Sequence, residues 1–489
     1  MPLEIAPEDQ AAIVLATTNN EVILDSLYPA VQQLIASAEQ SVVQIDVEIV
    51  RVQHILRTLV GRRKKECNKI RRFKATMAPH RKLPNALLVE IFAFCTEYAV
   101  IPHGNTEAPW SLACVCARWR QVVHRTRALW SRIRTLSNNT CAWDLRFTRT
   151  IETLLARNHG SHISMDATFD GNLSIRRGSQ FTEFLLSYGR RLQNLSVTAS
   201  SSYIRNFIDV PPGVLQNLTT LTIRSVQFGE SISHIPLIDV APNLRHLTVG
   251  FTLHQIPSTL SIAALSHLIS LALVVTVPRD VAFQILLCCA SLVNCEMTID
   301  DYPPRLVRGS VHTLPELKRL LIRVNNCNRL DWIEDLRLPR LMDFECLAES
   351  GTWQPTWTQS ITGSRTLERL AINFRVGEVD LECILDSAPS LRILDMRKAA
   401  GDSISLAILS RMSVGDLAPR LEFLGCSIAT SESLSWHFDM LEERRSHHTR
   451  PSHIAQVKLY KYPRHISEDI RNRFDMMNNS DWDIMLKRR

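Results

Sequence analysis

The stretch Leu192-Gln193-Asn194-Leu195-Ser196-Val197 reads as a short strand with apolar residues at its first, fourth and sixth positions. The frame returns as LTTLTI from Leu218, LRHLTV from Leu244, LISLAL from Leu268, LVNCEM from Leu292 and LKRLLI from Leu317. It continues as LMDFEC from Leu341, LERLAI from Leu367, LRILDM from Leu391 and LEFLGC from Leu421. Successive frames begin 26, 26, 24, 24, 25, 24, 26, 24 and 30 residues apart. Chance apolar runs do not hold such a register, so each frame marks one supersecondary unit that buries its apolar side against its neighbours.

The segments between frames fit a helix that turns back to the next strand. Val281 to Cys289 has the composition of such a helix, and Ala-Pro pairs at Ala241-Pro242, Ala388-Pro389 and Ala418-Pro419 break helices just ahead of strands. The period and the frame are those of leucine-rich repeats. The Asn or Cys common at the ninth position of such repeats occurs only as Asn325, with Val226, Thr252, Thr276 and Asp300 in the equivalent places, so these repeats are irregular. Residues 133–190 read as irregular opening repeats, with Ile163 and Met165 as a degenerate strand. Residues 191–465 are the repeat array, Val457 and Leu459 its last strand, and 466–489 a polar tail.

Ahead of the array, after an N-terminal segment 1–29, residues 30–75 read as one long helix. Val31, Ile35, Ala38, Val42, Ile45, Ile49, Val52, Leu56 and Leu59 step alternately by 4 and 3, which is a heptad seam. Two readings stay open: a dimerising coiled coil through residues 31–59, or a helix that folds back on the rest of the chain. Between Gly61 and Lys82 lie ten Lys or Arg residues against Glu66 alone. That local excess is larger than the net charge of +7 for all 489 residues, so no chain-wide footprint for nucleic acid is expected.

Residues 80–132 hold a second pattern. Leu83-Pro84-Asn85-Ala86-Leu87-Leu88-Val89-Glu90-Ile91-Phe92 places an apolar stripe on a helix opened by proline. Trp110 to Val123 reads as one further helix, with Leu112, Val115, Trp119 and Val122 three or four apart, and Leu129-Trp130 closes the unit. The order LP-x-x-LL-x-x-IF, then L-A-x-V-C-x-x-W-R, then LW resembles an F-box. With the heptad helix and basic connector before it, the chain is similar to the F-box-like proteins abundant in mushroom-forming fungi. It departs from the family at Ala86, where an acidic residue is usual.

The resemblance implies an α/β chain. An N-terminal heptad helix and a small all-α F-box precede an irregular leucine-rich-repeat solenoid, its curved parallel sheet carrying helices on the convex side. It implies a substrate-recognition adaptor of a Skp-cullin-F-box ubiquitin ligase. The F-box would dock on the Skp adaptor, and through it on a cullin-RING ligase, by Leu83, Pro84, Leu87, Leu88, Ile91, Phe92, Leu112, Val115, Cys116, Trp119 and Val122. A protein substrate would sit on the outward strand positions Arg319, Arg323, Asp343, Glu345, Arg369, Asn373, Asp395 and Arg397. Catalysis would then be proximity supplied by partners. The alternative is a repeat scaffold that assembles no ligase. Reversing the outward arginines is expected to cost within about 0.5 kcal/mol, as for ordinary exposed substitutions.

No catalytic constellation is expected: GxSxG, GxGxxG, GxxxxGK[ST] and HExxH are absent. No cofactor or metal is expected either; the 12 cysteines form no CxxC pair, and His437, His447 and His448 read as plain surface. An acidic start and the lack of an apolar run near 18 residues predict neither secretion nor a membrane span, hence a cytoplasmic or nuclear protein.

Overall fold

The last four residues of each frame lie in a strand, because their two alternating apolar positions can be buried together on one face. The computed structural model describes residues 7–19, 22, 25–101, 107–137, 145–158, 160, 162–169, 183–200, 210–211, 213–225, 241–250, 265–300, 311–325, 331–348, 353–396, 402–446, 454–460, 466–478 and 483–487. Contacts divide the chain into two units, residues 1–87 and 88–489.

Among the described residues the second unit is an α/β fold built on one sheet of fifteen strands, all parallel and in chain order from Ala99–Ile101 to Asp483–Lys487. Two further short strands, His312–Thr313 and Leu336–Arg337, pair only with each other. The register stacks the fourth position of every frame: Leu195 lies beside Leu221, Leu221 beside Leu247, and the row runs on through Leu271, Cys295, Leu320, Phe344, Leu370 and Leu394 to Leu424. All first, fourth and sixth positions of the ten frames are at most 3% exposed. Burying each such side chain contributes roughly 1.5–3 kcal/mol, so three stacked rows form the core of this unit.

Parallel neighbours require a crossover of a dozen or more residues, which the period of the frames accommodates. The helix Arg279–Cys288 is one crossover, with Val281, Ala282, Ile285 and Leu286 buried. Another, Glu378–Ser387, ends at Ala388, the residue ahead of a proline. A repeated turn closes each return: Leu218, Leu244, Leu268, Leu292, Leu391 and Leu421 each donate a backbone N–H to the carbonyl three residues earlier. From Thr219 to Glu422, the carbonyl just before a strand accepts two successive N–H groups from the following frame.

The sheet exceeds its sequence outline at both ends. Arg132–Ser137 and Ile163–Phe169 are full strands, the latter burying Ile163, Met165, Ala167 and Phe169. The first strand, Ala99–Ile101, pairs with Ile133–Thr135. At the other end, the expected polar tail carries a helix, Glu468–Asn478, and a fifteenth strand, Asp483–Lys487. Gln456–Tyr460 is therefore not the last strand; Ile470, Met477 and Ile484 give the tail apolar anchors. The helix expected from Trp110 to Val123 is two, Trp110–Val115 and Ala117–Arg125, because Cys116 takes an extended conformation between them.

The first unit contains helix Pro7–Asn19 and the long helix Tyr28–Thr76. The latter has 49 residues, about 74 Å at 1.5 Å per residue, and none is buried.

Candidate interaction surfaces

The structure separates the eleven residues expected to dock into different classes, four of them on the helix Asn85–Cys95. Leu88 and Phe92 are buried, at 1% and 0% exposure, whereas Leu87 and Ile91 are 45% and 42% exposed. One residue along a helix is a rotation of about 100°, which is how adjacent leucines come to face opposite environments. Phe92 packs edge-on against Trp119 with ring centroids 4.8 Å apart. Val122 is also buried, so Leu88, Phe92 and Val122 are core and not contact surface.

Trp130 seals this core. Its indole N–H donates to the Val123 carbonyl at 2.8 Å, Trp110 meets it edge-on at 5.1 Å, and the Arg157 guanidinium lies 4.8 Å from its ring centre. Cys116 acts as a helix cap, because its Sγ accepts the Trp119 backbone N–H at 3.4 Å at the start of Ala117–Arg125. Leu83, Leu112, Cys116 and Trp119 are half-buried. Exposed apolar surface is left at Pro84, Leu87, Ile91 and Val115, and also at Phe94, which is 94% exposed. Sequence reasoning missed Phe94, although it follows Ile91 by three residues as Ile91 follows Leu87 by four, which keeps all three on one helix face.

On the outer face of the sheet the expected residues are largely engaged with one another. Arg369 Nη1 donates to Asp343 Oδ1 and Glu345 Oε2, both at 2.8 Å, and Arg319 Nε reaches Asp343 Oδ2 at 3.2 Å. Arg323 pairs with Glu296, a residue that the strand pattern alone did not single out. The register explains these partners, since Asp343 lies between Arg319 and Arg369 on adjoining strands. Three arginines and three carboxylates therefore make a neutral patch. Burial works against the charge on Arg369, but its hydrogen bonds to Asp343 and Glu345 raise its pKa above the ordinary guanidinium value.

Three residues expected on that face do other things or lie elsewhere. Asp395 is buried at 5% exposure, and its row neighbours Ala371 and Gly425 are buried too. Asn373 is spent on the backbone of Ala348. Arg397 lies outside the described residues.

His437, expected at the surface, is fully buried, and burial first of all lowers its pKa from 6.5. Its Nδ1–H donates to the Ser433 carbonyl at 2.6 Å. His447 and His448 lie outside the described residues. Burial pushes the Cys289 thiol up to about 12 and raises Cys295 and Cys426 further, so these are packing thiols and not nucleophiles.

Among the described residues no group of three His, Cys, Asp or Glu side chains is placed to hold a metal ion, and no helix is long and apolar enough to cross a membrane. No family model matches the chain, and no curated protein sequence matches it.

Proposed function

We propose that this chain is a substrate-recognition adaptor of a Skp-cullin-F-box ubiquitin ligase, an F-box joined to a leucine-rich-repeat solenoid and acting in the cytoplasm or nucleus. The observation that carries the reading is the helix Asn85–Cys95. It leaves Leu87, Ile91 and Phe94 exposed in a row while Leu88 and Phe92 serve the core. Large apolar side chains displayed at helical spacing are what an adaptor-docking helix must present. The parallel sheet behind it supplies a broad array of outward strand positions for a protein substrate. Chemistry belongs to the recruited conjugating enzyme, which the adaptor serves by holding the substrate close.

The test is co-purification of the Skp adaptor with the intact chain and with Leu87→Asp/Ile91→Asp. Capture by the wild type and loss by the variant support the proposal; equal capture, or none by either, overturns it.

One observation favours a second reading, a repeat scaffold without a ligase. Strand Ala99–Ile101 comes from between the two F-box-like stretches and pairs with Ile133–Thr135, so this segment contributes the first strand of the sheet. A scaffold would retain its partners and never co-purify with a cullin.

A further inference from the structure

The 4,3 alternation of the long helix does not stop at Leu59. It passes through Arg63 and Glu66 and regains apolar residues at Ile70 and Phe73, which are 53% and 67% exposed. The seam thus runs almost the whole length of Tyr28–Thr76, and from Ile35 to Leu59 its Val, Ile and Leu members are all 46–58% exposed.

The charges along this helix are segregated. From Tyr28 to Val50 there are three acids, Glu39, Asp46 and Glu48, and no Lys or Arg; from Arg51 to Thr76 there are ten Lys or Arg and one acid, Glu66. The two carboxylates with partners on the helix find them locally, Glu48 with Arg51 at 2.6 Å and Glu66 with Lys69 at 2.6 Å.

We infer that the apolar seam is covered by a second copy of the same helix running antiparallel. A parallel, in-register pair would meet Arg63 with Arg63 and Glu66 with Glu66 inside the seam, and would set the basic halves side by side. An antiparallel pair crossing near His54 lays Ile35 against Phe73 of the second copy, Ala38 against Ile70, Ile49 against Leu59 and Val52 against Leu56. Arg63 then falls opposite Ile45 and next to Asp46, while Glu39 lies level with Lys69 and Glu48 faces Arg62 across the seam. Shifting the crossing to Ile45, the middle of residues 31–59, would bring the two copies of Asp46 within two residues of one another along the axis and leave the basic residues after Leu59 outside the overlap, so charge selects the longer overlap. The acidic half of each copy becomes the counter-charge for the basic half of the other.

The test is the solution mass of the full chain, by sedimentation equilibrium, with a charge-swap series on the exposed helix. Wild type should have twice the monomer mass of 55.6 kDa. Glu39→Lys/Asp46→Lys/Glu48→Lys should raise the dimer Kd at least about tenfold, and adding Arg62→Glu/Arg63→Glu/Lys69→Glu should restore it to within about threefold. A monomeric wild type, or a dimer whose Kd ignores both steps of the series, overturns the inference.

Discussion

Asn373 and Ala348 exchange two hydrogen bonds across the sheet: Asn373 Nδ2 donates to the Ala348 carbonyl at 2.8 Å, and Asn373 Oδ1 accepts the Ala348 N–H at 2.6 Å. A side-chain amide here substitutes for a ladder rung just where the strand Asp343–Ala348 ends. Asn373→Ala leaves both backbone groups of Ala348 without that partner, at a cost of about 1–3 kcal/mol. Asn373→Asp keeps the acceptor and loses the donor, so its effect should fall between wild type and Ala. Urea unfolding midpoints check this order, and equal midpoints for all three would show that water replaces the clamp at no cost.

The proposed docking role of the helix Asn85–Cys95 makes a prediction that separates stability from binding. Leu87 and Ile91 are exposed, so Asp at both positions should shift the unfolding midpoint little. Leu88→Ala should cost about 2–5 kcal/mol and Phe92→Ala about 3–5 kcal/mol, because each opens a cavity beside Trp119 or the surrounding core. Adaptor capture should disappear in the Asp pair while its far-UV circular dichroism stays that of wild type. Destabilisation by the Asp pair comparable to Leu88→Ala would mean that this face is covered in the native protein.

How much of the fold and of these surfaces is legible in the sequence follows the kind of information each feature needs. The three buried rows need only periodicity, so Leu195, Leu320 and Leu424 can be placed from the repeat alone. Periodicity also assigns an outward side, but it cannot tell what lies over that side. Asp395 reads as outward by position and is buried, together with its row neighbours Ala371 and Gly425. Cys116 looks apolar-helical by spacing, whereas its role depends on a backbone conformation that no spacing encodes. The fifteenth strand escapes the pattern because Asp483-Ile484-Met485 lacks the leading leucine of the frame, although Ile484 occupies the fourth-position row beside Val457. Division of the docking stretch into core and surface requires knowing where Trp119 and Trp130 stand.

The outer-face arginines are not interchangeable. Arg319 is 56% exposed and has a single long contact to Asp343, so Arg319→Glu should change stability by about 1 kcal/mol or less. Arg369 is 26% exposed and bridges Asp343 and Glu345, so Arg369→Glu puts a third carboxylate where the cation they share stood, with Arg319 still reaching Asp343. It should cost about 1.5–3 kcal/mol, well above the loss expected of an ordinary exposed residue. Asp343→Asn/Glu345→Gln added to Arg369→Glu should recover part of that loss. Equal midpoints for the two single variants would show that the three-residue bridge carries no stability. A substrate screen by charge reversal is therefore cleaner at Arg319 than at Arg369.

Acid sensitivity should centre on His437. The imidazole is fully buried, its Nδ1–H is committed to the Ser433 carbonyl, and Nε2 has no hydrogen-bond partner among the described residues. Burial disfavours the imidazolium and outweighs the raising effects of the Ser433 carbonyl and Asp402, so the folded pKa lies below 6.5. The unfolded chain then binds a proton near pH 6.5 that the native chain refuses. Stability from this residue is complete above that value and falls as pH drops through it, by up to about 1.4 kcal/mol per pH unit, until the folded pKa is reached. His124 acts in the same direction, its pKa lowered by burial and then by Arg157 and Arg120. Urea midpoints at pH 7.5, 6.5 and 5.5 should therefore fall more steeply for wild type than for His437→Gln, whose amide can still donate to Ser433 without titrating. Parallel pH profiles for the two proteins would mean that His437 takes up its proton in the native state and that its pocket is not dry.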